Sequence, residues 1–140
     1  MEAFDGSGGL FSSGRWHSRG RRLVYTARSE SLAKLEALAH FRPSLAPALV
    51  LVEAEIPDGQ IAVVASLPPG WNAVPETDVS RAIGDAWLAA GAALALEVPS
   101  VHSTTETNVL VNPAHPAFAR VVISAPVPFA FDWRLVAPRR

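Results

Sequence analysis

The sequence predicts an α+β fold: short mixed strands with two main helices, in one domain spanning residues 1–140. Three observations carry this. The chain of 140 residues is 49% hydrophobic and 18% charged, which is the composition of a globular protein large enough to bury a core. Two segments place apolar residues at helical spacing. The other apolar runs are short, alternate or nearly continuous, and end at Gly, Pro or Asn-Pro, which is strand punctuation.

Residues 1–22 are rich in Gly, Ser and Arg and read as loop. Leu23–Ala27 reads as a strand. Ser29–His40 (SESLAKLEALAH) holds a helix over residues 30–40, with Ser29 or Ser31 as its cap and Leu32, Ala33, Leu35, Leu38 and Ala39 as its apolar stripe. Pro43 ends it, because proline cannot continue the ladder. Ala48–Ile56 alternates, with Glu53 and Glu55 on the polar face. Asp58-Gly59 turns the chain into Ile61–Ala65, and the two runs suggest a hairpin. A second helix, over residues 79–90, is capped by Thr77 or Asp78. It carries Val79, Ala82, Ile83, Ala86 and Trp87 on one face and stops at Gly91. Ala93–Val98 is a continuous apolar strand leading to Pro99-Ser100. Asn108–Val111, Arg120–Ser124 and Phe129–Phe131 are late strands, and Asn112-Pro113 is a turn.

A net charge of −1 gives no electrostatic case for nucleic acid or an anionic membrane. The longest uncharged apolar run, Ala86–Leu96, is far short of the roughly 20 residues that span a bilayer. No signal peptide is visible. The absence of cysteine excludes disulfides, thiolate metal sites and thiol nucleophiles, and suits a cytoplasmic protein. The four histidines show no metal-ligand spacing, so no metal is expected. Of the 12 basic residues only Lys34 is lysine. Arg15, Arg19, Arg21, Arg22 and Arg28 cluster in one stretch. Guanidinium forks bind phosphate oxygens in pairs, so the cluster suits a diphosphate. For Arg19, Arg21 and Arg22 a solvated loop is the plainer reading.

The candidate chemistry centres on Glu36, a carboxylate on the edge of an apolar helix stripe. Such a group loses hydration unless it finds partners; the plainer alternatives are a side chain that bends to water or a structural pair with arginine. Arg15 lies in a glycine-rich stretch (Ser13-Gly14-Arg15-Trp16) whose backbone lets a ligand approach closely. Tyr25, the only tyrosine, is either core with its hydroxyl tied to backbone or part of the same pocket. Ser100 ends an apolar strand, where loops carry site residues. Asn108 and Asn112-Pro113-x-His115-Pro116 read as turn punctuation. A serine hydrolase built on Ser100 with His115 and an aspartate lacks the strand–GxSxG–helix elbow.

Taken in order, Gly14-Arg15-Trp16, Leu23-Val24-Tyr25-Thr26, Leu35-Glu36, Ile83-Gly84-Asp85-x-Trp87, Val98-Pro99-Ser100, Asn108-x-Leu110-x-Asn112-Pro113-x-His115-Pro116 and Phe131-Asp132-x-Arg134 resemble the RES family of bacterial toxins, named for its Arg, Glu and Ser. The set covers nearly the whole chain. The resemblance implies an ADP-ribosyltransferase-like fold and NAD as substrate. The implied activity is cleavage of the nicotinamide–ribose bond, with ADP-ribose transferred to a protein acceptor or NAD degraded by hydrolysis or phosphorolysis. It implies an Xre-like helix-turn-helix antitoxin as partner, which supplies the DNA-binding part. Within the resemblance, Glu36, Arg15 and Ser100 are catalytic. Glu36 serves the ribose, Arg15 the diphosphate, Tyr25 the nicotinamide, and Ser100 and Asn108 complete the NAD site. Two departures stand out. The family's usual first strand, carrying another arginine, is not visible before the Gly-rich loop, which implies weaker phosphate binding. His17 and Arg19 replace the asparagine and proline expected after the Arg-Trp pair. The His17 and Arg19 changes are expected to alter loop shape, not chemistry, and a catalytically weak RES-fold binding module is the alternative that the missing strand favours.

Overall fold

A continuous apolar strand needs cover on both faces, and Ala95–Pro99 receives it. The computed structural model describes residues 4–45 and 48–138. In chain order the elements are β1 (Val24–Ala27), α1 (Glu30–Ala39), β2 (Leu49–Leu51), β3 (Ala54–Glu55), β4 (Ile61–Val63), α2 (Asp78–Ala90), β5 (Ala95–Pro99), β6 (Thr107–Val111), β7 (Val122–Ile123), β8 (Val127–Phe129) and α3 (Trp133–Val136). The α+β expectation holds. The main sheet has the order β1-β6-β5-β4, antiparallel except for the parallel pair β4–β5. One face buries Leu23, Leu96, Val98 and Leu110 with Trp16, covered by Ile83, Trp87 and Leu88 of α2. The other buries Val24, Ala95, Val109 and Val111 with Phe4 and Leu94, covered by Val52, Ala54, Phe118 and Ile123.

Three expectations change. Ala48–Ile56 is not one strand and forms no hairpin with Ile61–Ala65. β2 pairs with β8, β3 pairs with β7, and β4 crosses over through α2 to lie parallel to β5. Alternating sequence specifies a half-buried strand but not its partner. A helix between two strands is the ordinary parallel connection, and here it outweighs the Asp58-Gly59 turn. Asn108 is no turn residue, since it lies inside β6 opposite Ala27 and Val98. The chain also ends in a third, four-residue helix, capped by Asp132 Oδ1 accepting the Arg134 N–H at 2.9 Å.

Both long helices obey their sequence signals. Ser29 Oγ accepts the Leu32 N–H at 3.1 Å and caps α1. Thr77 caps α2, and Gly91 closes it at φ 60°. Among the described residues no helix is long and apolar enough to cross a membrane.

Candidate active site

β1 ends at Ala27, opposite Asn108, and the chain turns at once through Ser29 into α1. That tight turn brings α1 to the end of the sheet where β5 delivers Ser100 and β6 begins. Register does the rest: Val98 faces Asn108 and Pro99 faces Thr107, so Ser100 and Asn108 lie at the same end of neighbouring strands. Glu36 reaches both. Its Oε1 accepts the Ser100 hydroxyl at 2.6 Å and the Asn108 Nδ2–H at 2.7 Å. Ser100 Oγ in turn accepts the His102 backbone N–H at 3.0 Å, so its own proton is committed to Glu36. The amide of Asn108 is oriented by the same bond, because its oxygen turned toward a carboxylate would repel it. Its Oδ1 is left buried without a hydrogen-bond partner.

The two halves of the carboxylate are therefore unlike. Oε1 is saturated by two buried residues, Ser100 at 6% and Asn108 at 8% exposure. Oε2 faces the His102 ring, with Nε2 at 3.6 Å, and the Glu36 side chain stays 28% exposed. A carboxylate fixed by two donors on one oxygen and open on the other can present charge to a bound molecule without reorganising.

Ser100 and His102 also line a cleft of about 460 Å³, whose other wall is Trp71, Asn72 and Val74. This is within the size range of small-molecule sites. Arg15 holds that second wall in place. Its Nη1 donates to the carbonyls of Trp71 at 3.0 Å and Ala73 at 2.9 Å, and the Trp16 ring stacks on Trp71 at 6.0 Å. One corner of the guanidinium is spent on holding the loop. Its Nε and Nη2 make no hydrogen bond among the described residues.

Tyr25 is not core. The residue is 43% exposed and borders a separate groove of about 300 Å³ formed with Asp5, Gly6 and Gly8. Only its hydroxyl is turned inward, where it accepts the Trp16 N–H at 3.1 Å and meets His17 Nδ1 at 2.8 Å. His17 Nε2 must donate, because its partner at 2.9 Å is the Ser12 carbonyl. The Tyr25 hydroxyl must then be the donor to Nδ1. Burial of that hydroxyl, only partly offset by the Trp16 N–H, pushes its pKa up to about 12, so Tyr25 stays a phenol. Gly14 is a glycine because a Cβ there would lie 2.6 Å from the Tyr25 oxygen. The glycines beside Arg15 thus serve close packing of the chain on itself as well as any ligand.

This chain of bonds needs His17 neutral. Burial lowers its pKa below the ordinary 6.5, outweighing the opposing effects of the Ser12 carbonyl and Asp85. An unfolded histidine binds a proton near pH 6.5 that the folded one refuses, so the unfolded state holds more protons just below that pH. Stability from His17 is full above pH 6.5 and is lost as pH falls from there through the folded value. We expect the urea midpoint of wild type to drop over that window, and His17→Gln to show a flatter profile. Parallel profiles would refute the neutral-histidine arrangement.

Arg21 and Arg22 are less free than a solvated loop would have them. Arg21 Nε lies 3.3 Å from Asp85, and Arg22 Nη1 lies 3.7 Å from Asp5. Asp85 also takes the Ser18 N–H at 2.9 Å and the Ser18 hydroxyl at 2.5 Å. Burial raises the Asp85 pKa, but these donors and Arg21 outweigh it and hold the carboxyl below its usual value. Asn112 and His115 do punctuate turns, accepting the N–H of Ala114 and Ala117. With its Nδ1 so used, His115 makes no bond to Ser100, whose proton goes to a glutamate instead. No hydrolase triad on Ser100 is assembled among the described residues. Among the described residues no group of three metal-ligating side chains forms.

Of the five residues singled out in the sequence, Glu36, Ser100 and Asn108 are joined directly, Arg15 is bonded to the loop that forms the facing wall of the cleft, and Tyr25 supports the Arg15 loop from behind. His102 was missed. The signal was its place two residues after Ser100, where a serine hydroxyl at the end of a strand can accept the N–H two residues on and curl the chain back.

The chain belongs to the RES domain family, which its residues 1–133 match. It is 40% identical over 117 residues to the Prs ADP-ribosylating toxin of Sphingobium sp. (strain YBL2), covering 79% of this chain and 73% of that protein. It is 44% identical over 115 residues to Toxin Res of Pseudomonas putida, covering 79% and 78%. Toxin Res of Yersinia enterocolitica is 37% identical over 134 residues, covering 93% and 88%.

Proposed function

We propose that this protein is a single-domain toxin that uses NAD as substrate and breaks the bond between nicotinamide and ribose. The observation that carries the reading is the Glu36 carboxylate, locked through Oε1 by Ser100 and Asn108 and open through Oε2 beside the cleft. Kinship with a relative named as an ADP-ribosylating toxin supports it. As nicotinamide leaves, the ribose carbon becomes cation-like, as in glycoside cleavage. A pre-oriented carboxylate stabilises that charge because no dipole need move when it develops. Arg15 pairs with the diphosphate through Nε and Nη2, while Tyr25, on the separate groove, serves by holding the Trp16 N–H behind the Arg15 loop rather than by meeting the nicotinamide. Ser100 and Asn108 act mainly through Glu36.

The ADP-ribose passes to a protein acceptor, or to water or phosphate. An Xre-like helix-turn-helix antitoxin holds the toxin in check in the cytoplasm. Purified protein mixed with NAD should release nicotinamide over many turnovers. A preparation that is folded and free of antitoxin, yet releases none, would overturn the reading. Labelled NAD in lysate separates the fates: a labelled protein band marks transfer, and free ADP-ribose or its phosphorylated form marks degradation.

A further inference from the structure

Glu36 accounts for the developing positive charge, but the incoming nucleophile must also lose a proton, and Glu36 Oε1 is already occupied. The histidine beside it has no assigned part. His102 lines the cleft, its backbone is fixed by the N–H donated to Ser100 Oγ at 3.0 Å, and its Nε2 stands 3.6 Å from Glu36 Oε2. We propose that His102 is the general base of the reaction, taking the proton from the nucleophile that attacks the ribose. This rests on the NAD-cleaving reading above.

The step balances with a hydroxylic nucleophile, water in the simplest case. A lone pair on its oxygen forms the new bond to the ribose carbon. The carbon–nitrogen bond breaks, and its electron pair moves into the pyridinium ring, so nicotinamide leaves neutral. The proton of the nucleophile ends on His102 Nε2. The imidazolium so formed lies beside Glu36 Oε2, which offsets its charge at the moment it appears. The spacing suits this: 3.6 Å is close enough for a charge pair and too long for a hydrogen bond that would tie up the ring nitrogen. Holding the base by its backbone through the serine that orients the carboxylate sets both groups in one frame.

Nicotinamide release by His102→Gln and His102→Ala tests this. General bases contribute about 100-fold or more, so kcat should fall by at least that much in both. KM for NAD should stay within about threefold, because a group acting only in the transition state leaves ground-state binding alone. The backbone N–H to Ser100 survives in both variants, so a merely structural side chain would not give this split. Added imidazole should restore turnover to His102→Ala in a concentration-dependent way and do nothing for wild type. If wild type turns over NAD and the variants match its kcat, or lose only NAD affinity, or imidazole fails to rescue, His102 is not the base and the NAD reading stands. If wild type releases no nicotinamide, that reading falls and this inference with it.

Discussion

Replacing Glu36 with glutamine should lower kcat for nicotinamide release by about 100-fold or more, the scale seen when one electrostatic contact to a reacting centre is removed. Glutamine keeps the shape. Its carbonyl can still accept from Ser100 and Asn108, as Oε1 does at 2.6 and 2.7 Å, while the amide nitrogen takes the place of Oε2. What disappears is the negative charge on Oε2, beside the cleft-lining His102. NAD affinity and thermal stability should therefore change little, so the loss appears in kcat and not in KM. Calorimetry with NAD and a melting curve separate this from misfolding. Turnover within a few-fold of wild type would remove Glu36 from the mechanism.

The second large effect lies far from the carboxylate. Gly84→Ala should destabilise the fold by about 3 kcal/mol or more, the upper end of overpacking costs. A Cβ at position 84 would lie 1.6 Å from the Trp16 carbonyl oxygen and 2.7 Å from its carbon. The obstacle is backbone, so no rotamer change relieves it, and α2 would have to lift off Trp16. The better helix propensity of alanine returns only about 1 kcal/mol. Trp16 is 1% exposed, at the centre of the cluster with Leu96, Val98 and Leu110. Its neighbour Arg15 holds the Trp71–Ala73 wall of the cleft. Loss of packing at Gly84 should thus lower both the melting temperature and activity. Gly8→Ala, where an added Cβ meets nothing within 4 Å, is the control and should stay within about 0.5 kcal/mol of wild type. A Gly84→Ala protein as stable as that control would show that α2 does not press on Trp16 as described.

These two residues show what the sequence disclosed and what it withheld. The caps and stripes of α1 and α2 are local, and both helices were readable to within a residue or two at their ends. β1, β5 and β6 were readable too, because continuous apolar runs signal buried strands. Partner choice was not readable for Ala48–Ile56, since alternation is satisfied against any neighbour. At the site, Glu36 stood out as a charge on an apolar stripe. Nothing local said that Ser100 and Asn108 would lock one of its oxygens, because that follows from the β5–β6 register. The stretch Ile83-Gly84-Asp85-x-Trp87 was visible only as part of the RES resemblance. Its physical meaning is a clamp on the Arg15 loop: Gly84 against Trp16, Asp85 on Ser18 and Arg21, and Trp87 in the core. Arg15 looked like a free phosphate ligand, and its contacts with two loop carbonyls depend on a segment more than fifty residues away.

The most direct measurement is a crystal structure of Glu36→Gln soaked with NAD, since the slowed variant should retain intact substrate. The nicotinamide ribose should lie in the cleft between Ser100 and Trp71, a ribose hydroxyl within hydrogen-bond reach of residue 36, roughly 2.6–3.2 Å, and the diphosphate against Arg15. A nicotinamide ribose bound elsewhere, or pointing away from residue 36, would contradict the role given to the carboxylate.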